Sequence, residues 1–204
     1  MEPNRSHKAP SNEQMEAGEA AAALARARQG DGDAFRTLVE LHAKAAFGLA
    51  YRLTGDERDA EDVVQESFIR AYRQLARFES RSNFGTWLHR IVVNCAMDAL
   101  RARHSRREER GSDPVTDIAD ATPSSGPSPE RLARSAEIRK RVNESMATLT
   151  PHERVAFVLR HWEGRSIDDI GRALGLQTSA AKHAVFRAVK KVRAALEPLK
   201  EHYS

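Results

Sequence analysis

Ser166–Arg193 reads SIDDIGRALGLQTSAAKHAVFRAVKKVR, and the order of its signals decides the fold. Ser166, followed three residues later by Asp169, marks a helix start, because the hydroxyl is placed to accept from a backbone N–H of the first turn. Gly175 supplies the left-handed residue that ends this short helix. Thr178 or Ser179 then caps a longer helix that runs to Glu197, where Pro198 stops it. A short helix, a turn with glycine and a second helix make a helix-turn-helix.

Projecting the second helix at 100° per residue puts Ala181, Val185, Ala188, Val192 and Leu196 on one side, with Ala184 and Val189 at its margins. That side packs on the domain. Ser179, Lys182, His183, Phe186, Arg187, Lys190 and Arg193 fall on the face left free. A basic face on a lone helix is ordinarily just solvated. Behind a capped short helix and a glycine turn it points instead to DNA, because the second helix of this motif enters the major groove, where cations meet phosphates and residues near its start meet base edges. Phe186 either touches a thymine methyl or packs on the preceding helix. Upstream, Thr150-Pro151-His152-Glu153 is a capping box with proline at the first helical position, where its missing N–H costs nothing.

The rest of the chain extends this helical reading. After residue 20, apolar residues recur at steps of three and four and no segment alternates as a strand does, so the expected fold is all-α. The stretch 111–130, GSDPVTDIADATPSSGPSPE, is rich in Pro, Ser, Gly and Asp and contains no Lys or Arg. It cannot bury enough apolar surface to order itself and reads as a flexible linker. Two small helical domains follow, 19–110 and 131–204, with residues 1–18 as a disordered tail.

Composition limits the functions available. With 204 residues, 40% hydrophobic and 30% charged, the chain can bury one medium core or two small ones. Lys and Arg exceed Asp and Glu by 33 to 29, and the pI near 9.4 favours a polyanionic partner. No apolar run approaches the roughly 20 residues that cross a bilayer, and the first residues carry no secretory signal. A cytoplasmic protein without membrane insertion is expected. The single cysteine, Cys95, allows no internal disulfide and no cysteine metal cage, and its place on a helical stripe suits a small core hydrophobe.

In the first domain, the segment Gly55–Phe78 sets Ala60, Val64, Phe68, Ala71, Leu75 and Phe78 on one stripe. Asp62, Gln65, Glu66 and Arg73 lie opposite, with Ile69 at their centre. An Ile among fixed charges is either a stray apolar residue on a solvated face or the anchor of a protein-binding surface. The acids lack a histidine or third carboxylate at ligand spacing, and no glycine-rich phosphate loop exists, so neither a metal nor a cofactor is expected. Farther on, Arg77–Arg110 starts with a polar loop, Glu79 to Asn83, and enters a helix apolar on nearly all sides through Val93 and Met97. Its end is basic, with Arg101, Arg103, His104, Arg106 and Arg107. Phe78, Phe84 and Trp87 flank the loop. Aromatic faces beside cations suit unstacked bases, and plain core packing explains them equally well.

Taken in order, GDGDAF, LAYRLTGDERDAEDVVQESFIRAY, FGTWLHRIVVNCAMDALR and LTPHERVAFVLRHWEG, followed by the helix-turn-helix, resemble the extracytoplasmic-function group of bacterial sigma factors from Ala20 onward. The resemblance implies a dissociable, non-enzymatic subunit that gives RNA polymerase its promoter specificity and lacks the middle domain of larger sigma factors. It implies that Asp62, Gln65, Glu66, Ile69 and Arg73 dock on the clamp of the largest polymerase subunit. It implies that Ser80, Arg81, Ser82, Asn83, Trp87, Arg90, Asn94, Arg101 and Arg103 bind and help to melt the minus-ten element, holding a flipped non-template base. Ser179, Lys182, His183, Phe186, Arg187 and Lys190 would meet the minus-thirty-five element as duplex. The acidic linker would run toward the RNA exit path. An anti-sigma factor is a possible further partner, and no small-molecule substrate is implied. Where family members often have Thr-Val-Lys-Ser-Arg at the start of the recognition helix, this chain has Ala180, Ala181, Lys182, His183 and Ala184. The polar contacts of that Thr and Arg are therefore missing.

Two rival functions remain open on the residues. A helix-turn-helix repressor or activator would bind duplex DNA alone, and the Ile69 spot and aromatic-basic loop argue against it. A metal-dependent nuclease using the acids near Asp62 is a remote third.

Overall fold

The computed structural model describes residues 12–78, 83–110, 141–142 and 144–201. Helices α1 (Asn12–Ala27), α2 (Gly32–Thr54), α3 (Glu57–Gln74) and α4 (Phe84–Arg110) form the first unit, with a 3-10 turn at Leu75–Arg77 prolonging α3. After a helical stretch at 141–142 and 144–147, the second unit consists of α5 (Pro151–His161), α6 (Ile167–Leu174) and α7 (Thr178–Glu201). The fold is all-α, with no strand among the described residues.

Local chemistry fixes the helix ends. Asp31 and Asp56 cap α2 and α3 by accepting from Ala34 N at 3.0 Å and Asp59 N at 2.9 Å. Between them, Gly55 at φ 71° turns α2 back on α3. α2 packs on α1, α3 and α4, burying Leu38, Leu53, Ala60, Ala71, Val92 and Ala96 essentially completely. Each such aliphatic side chain of Leu or Val size contributes about 1.5–3 kcal/mol. Cys95 is buried in this core, as the helical stripe requires.

Three expectations need correction. α1 begins at Asn12, inside the stretch read as a tail; NEQMEAGEAAAALARA is dense in helix formers but shows no apolar stripe in its first turns. α7 does not stop at Pro198 but continues to Glu201, because a proline near a helix end forfeits one backbone bond without turning the chain. Thr178 does not cap α7 from outside it. It lies in the first turn, and its hydroxyl donates to Asp168 of α6 at 2.8 Å. The tail before residue 12, the linker 111–130, and Ser80, Arg81 and Ser82 lie outside the described residues.

Candidate nucleic-acid interface

The helix-turn-helix is assembled by the devices its sequence announces. Ser166 Oγ accepts from Asp169 N at 3.1 Å, and Gly175 closes α6 at φ 64°. Gly171 has a role the sequence did not disclose: a Cβ there would stand 2.8 Å from the Leu176 carbonyl oxygen, so only glycine lets the turn fold back onto α6. Ala181, Ala184 and Ala188 lie against α5 and α6 with almost no exposure, which brings α7 close. Glu153 fastens α5 to α7. Its carboxylate completes the capping box with Thr150 N (3.1 Å) and accepts from Arg187 (2.9 Å) and Lys191 (2.7 Å), although the residue is only 2% exposed. Burial alone would raise its pKa; the bonds from Lys191, Thr150 and Arg187 outweigh it and hold the carboxyl below its ordinary range.

The outer face of α7 presents Ser179, Lys182, His183, Phe186 and Lys190 to solvent. Phe186 is 65% exposed, which excludes internal packing on the preceding helix. Arg187 stands at the edge of this face, held by Glu153.

On α3, Asp62, Gln65 and Arg73 are exposed, and Ile69 is 39% exposed on the side opposite the core stripe. Glu66 is drawn aside by Arg70 (2.6 Å), which also holds Asp98 of α4 (3.0 Å). Ile69 is no stray residue. It borders an apolar groove of about 440 Å³ with Phe35, Val39, Phe68 and Tyr72, rimmed by Gln65 and Arg73. Phe35 meets the exposed Tyr72 ring edge-on at 4.9 Å. Sequence periodicity missed Phe35, Val39 and Tyr72, since two of them come from α2 and no single-helix projection joins them.

At the start of α4, Asn83 acts as the cap: its Oδ1 accepts from Thr86 N at 2.7 Å. Phe78 and Phe84 are buried, with ring centroids 4.9 and 5.8 Å from Trp87, so their faces are used internally and Trp87 alone stays half-exposed. His42 of α2 packs on Phe84 (5.2 Å); its Nε2 has no partner, and burial lowers its pKa. Beside it lies a cavity of about 330 Å³ lined by His42, Asn83, Thr86, His89 and Arg165 among others. Arg90 and Asn94 project from the outer side of α4. Arg101 meets His152 of α5 at 3.3 Å, and Arg103 is paired with Asp59 at 3.1 Å.

Of these two contacts, Arg103–Asp59 ties α4 to α3 within the first unit, and Arg101–His152 belongs to a junction between the units. Glu163, just past α5, accepts from Arg52 of α2 (2.7 Å) and faces His89 of α4 (3.3 Å). Arg154 lays its guanidinium against Gly55 and leaves its buried Nε without a partner. Burial first, then the Arg103 and Arg107 cations, lower its pKa to about 10.

The chain matches the model of sigma-70 region 2 over residues 38–106 and that of sigma-70 region 4 over residues 139–192. It is 36% identical to the RNA polymerase sigma-H factor of Pseudomonas aeruginosa, across 85% of this chain and 92% of that one. It is 32% identical to the ECF RNA polymerase sigma-E factor of Haemophilus influenzae, across 87% and 95%. The chain belongs to the ECF sigma factors of RNA polymerase. Among solved structures, CnrH in complex with the cytosolic domain of CnrY is similar at TM-score 0.55 and 28% identity, covering 88% of this chain and 98% of that one. As a sigma factor, the protein associates with RNA polymerase, binds promoter DNA and directs promoter recognition at initiation. Region 2 falls on α2 through α4 and region 4 on the helix-turn-helix unit. No helix among the described residues is long and apolar enough to cross a membrane.

Proposed function

We propose that the three exposed faces divide the work of initiation. The α3 face, with Ile69 as apolar anchor and Asp62, Gln65, Glu66 and Arg73 around it, docks on the clamp of the largest polymerase subunit. Trp87, Arg90, Asn94, Arg101 and Arg103, with the loop carrying Ser80, Arg81, Ser82 and Asn83, take the minus-ten non-template strand. The cavity beside Asn83 and His42 accepts its flipped base. Lys182, His183, Phe186 and Lys190, with Ser179 at the tip and Arg187 at the edge, meet the minus-thirty-five duplex. The protein carries out no catalysis of its own and works in the cytoplasm. CnrH is bound by the cytosolic domain of CnrY, and an inhibitory protein partner is the corresponding proposal here.

The observation that carries this reading is the groove at Ile69. A repressor working alone needs no apolar groove on the unit that lacks the helix-turn-helix. The test is reconstitution: with polymerase core, the protein should give transcripts from discrete start sites whose upstream sequences share two elements. Duplex binding without such transcripts would favour the lone repressor.

A further inference from the structure

We infer that two adjoining cavities, which share the Arg165 side chain as a wall, form a site for a free nucleoside monophosphate, with its base beside Asn83 and its phosphate against Arg165 and Arg90. The inference rests on the proposal that the cavity beside Asn83 accepts a base, and adds a second source of that base, a nucleotide not joined to a strand. This first cavity, of about 330 Å³, falls within the range of small-ligand sites, about 300–1,000 Å³. Its wall suits a flat ring: Ala46, Leu49, Leu88 and Val92 make it apolar, while His42 and Asn83 supply polar edges. Asn83 spends its Oδ1 on Thr86 N at 2.7 Å, which leaves its amide N–H groups to donate. His42 has a ring nitrogen, Nε2, without a partner. A base edge carries donors and acceptors together, and this pair can answer both.

The second cavity, of about 230 Å³, is the cationic half. Thr86, His89 and Arg165 line both cavities, and Arg90 and Asn94 belong to the second. The acids here are already spent. Asp169 accepts from Arg172 at 2.6 Å and from Ser166 Oγ at 2.7 Å, and Glu163 accepts from Arg52 at 2.7 Å. Arg165 and Arg90 have no ion pair among the described residues. Arg165 is held in place by its own backbone: its N–H donates to the Leu159 carbonyl at 2.8 Å, and its carbonyl accepts from Arg160 at 3.0 Å. A half-buried guanidinium fixed in this way and left without a counter-ion favours an anion beside it. A phosphate monoester brings about −1.5 to −2 charges, the amount that two arginines match. Ring space on one side and unpaired cations on the other are the two halves of a mononucleotide site.

The experiment uses the full chain without polymerase or DNA, read by isothermal titration and by thermal melting. The probes are the four nucleoside 5′-monophosphates, their unphosphorylated nucleosides and inorganic phosphate. At least one monophosphate should bind one to one, about tenfold tighter than its nucleoside and than inorganic phosphate, the gain of one charge-assisted contact. Arg165→Gln should remove that gain, whereas Arg36→Gln, which deletes the same charge from the exposed side of α2, should not. Ala45 is exposed and lines the first cavity, so Ala45→Leu should narrow the ring space, weaken nucleotide and nucleoside alike, and leave the melt of the free protein unchanged. Inorganic phosphate binding as tightly as every monophosphate would mean an adventitious anion only and overturns the site. So does the absence of both heat and a rise in Tm with all four monophosphates, or an Arg165→Gln variant indistinguishable from Arg36→Gln. Promoter opening by polymerase with Ala45→Leu separates the two claims. Slower opening without monophosphate binding overturns the free-nucleotide site and keeps the flipped-base proposal; normal opening without binding overturns both.

Discussion

Replacing Ile69 by Asp tests the docking face where apolar contact and charge are least interchangeable. Ile69 is 39% exposed, and its buried part lies along the groove of Phe35, Val39, Phe68 and Tyr72. Losing that part costs the fold about 1–2 kcal/mol, less than a full core truncation because the side chain is never enclosed. The cost to the complex is larger. A carboxylate placed without a partner in a desolvated contact costs about 2–5 kcal/mol, roughly 30-fold to 5,000-fold in Kd. The assay pairs thermal melting of the free protein with titration of fluorescent sigma factor into polymerase core. Melting should stay cooperative with a modestly lowered Tm, polymerase affinity should collapse, and duplex binding by the α7 face should be unaffected. Normal polymerase affinity would refute the docking face, and loss of the fold would refute the placement of Ile69 outside the core.

Other changes probe the frame that presents the faces. Glu153→Ala removes the cap and both cation bonds; since Arg187 and Lys191 are half-exposed and can resolvate, unfolding by urea should show a loss of about 2–3 kcal/mol. Because the Glu153 pKa is held below 4.5 in the fold, its contribution is present above that value and lost as pH falls through the depressed one, and the parent and Glu153→Ala curves should converge in acid. Gly171→Ala forces a Cβ toward the Leu176 carbonyl and should cost about 1–3 kcal/mol by the same urea measurement, with weaker duplex binding as the turn shifts. Lys190→Ala should weaken binding to most duplex sequences alike and reduce the slope of log affinity against log salt by about 1; a loss confined to one base position would show direct readout instead. His89 and His152 both have pKa values lowered by burial, seconded by Arg165 and by Arg101 respectively, with Glu163 opposing at His89. Docking of the units is then fully favoured above the ordinary imidazole pKa of about 6.5 and weakens as pH falls below it, so scattering should record expansion between about pH 7.5 and 5.5.

What could be read from the sequence was whatever one helix or one cap determines. The capping box at Thr150, the Ser166 start, the Gly175 turn and the α7 stripe are each set by residues within two turns of one another, and each appears where the letters place it. The outward position of Ile69 follows from the same single-helix arithmetic. What stayed hidden depends on pairs of elements. The groove around Ile69 needs Phe35 and Val39 from α2; the junction at Glu163 needs Arg52 and His89 from two helices; and the need for glycine at position 171 arises from a carbonyl five residues away across a turn. Phe78 and Phe84 show an ambiguity of the same origin. Their neighbourhood suits base stacking by composition, and only burial reveals that their faces are already occupied.

The same distinction sorts the cations, and it does so more sharply than net charge can. A surplus of 33 basic over 29 acidic residues says little about where a polyanion binds. Pairing says more. Arg52, Arg103, Arg172, Arg187 and Lys191 each have a carboxylate partner within about 3 Å, and these pairs tie helices together or stiffen one. Among the described residues, Lys182 and Lys190 on α7 and Arg90 on α4 have no such partner. An already paired cation brings an anion a contact whose favourable charge is partly cancelled, whereas an unpaired one brings the full attraction and releases its counterion. Duplex affinity should therefore depend more on Lys182 and Lys190 than on Arg187, although all three share one helix. Arg187→Ala should be read mainly in stability, through Glu153. The order of salt-slope losses, Lys190 and Lys182 above Arg187, is what separates a face built for DNA from a helix that is merely basic.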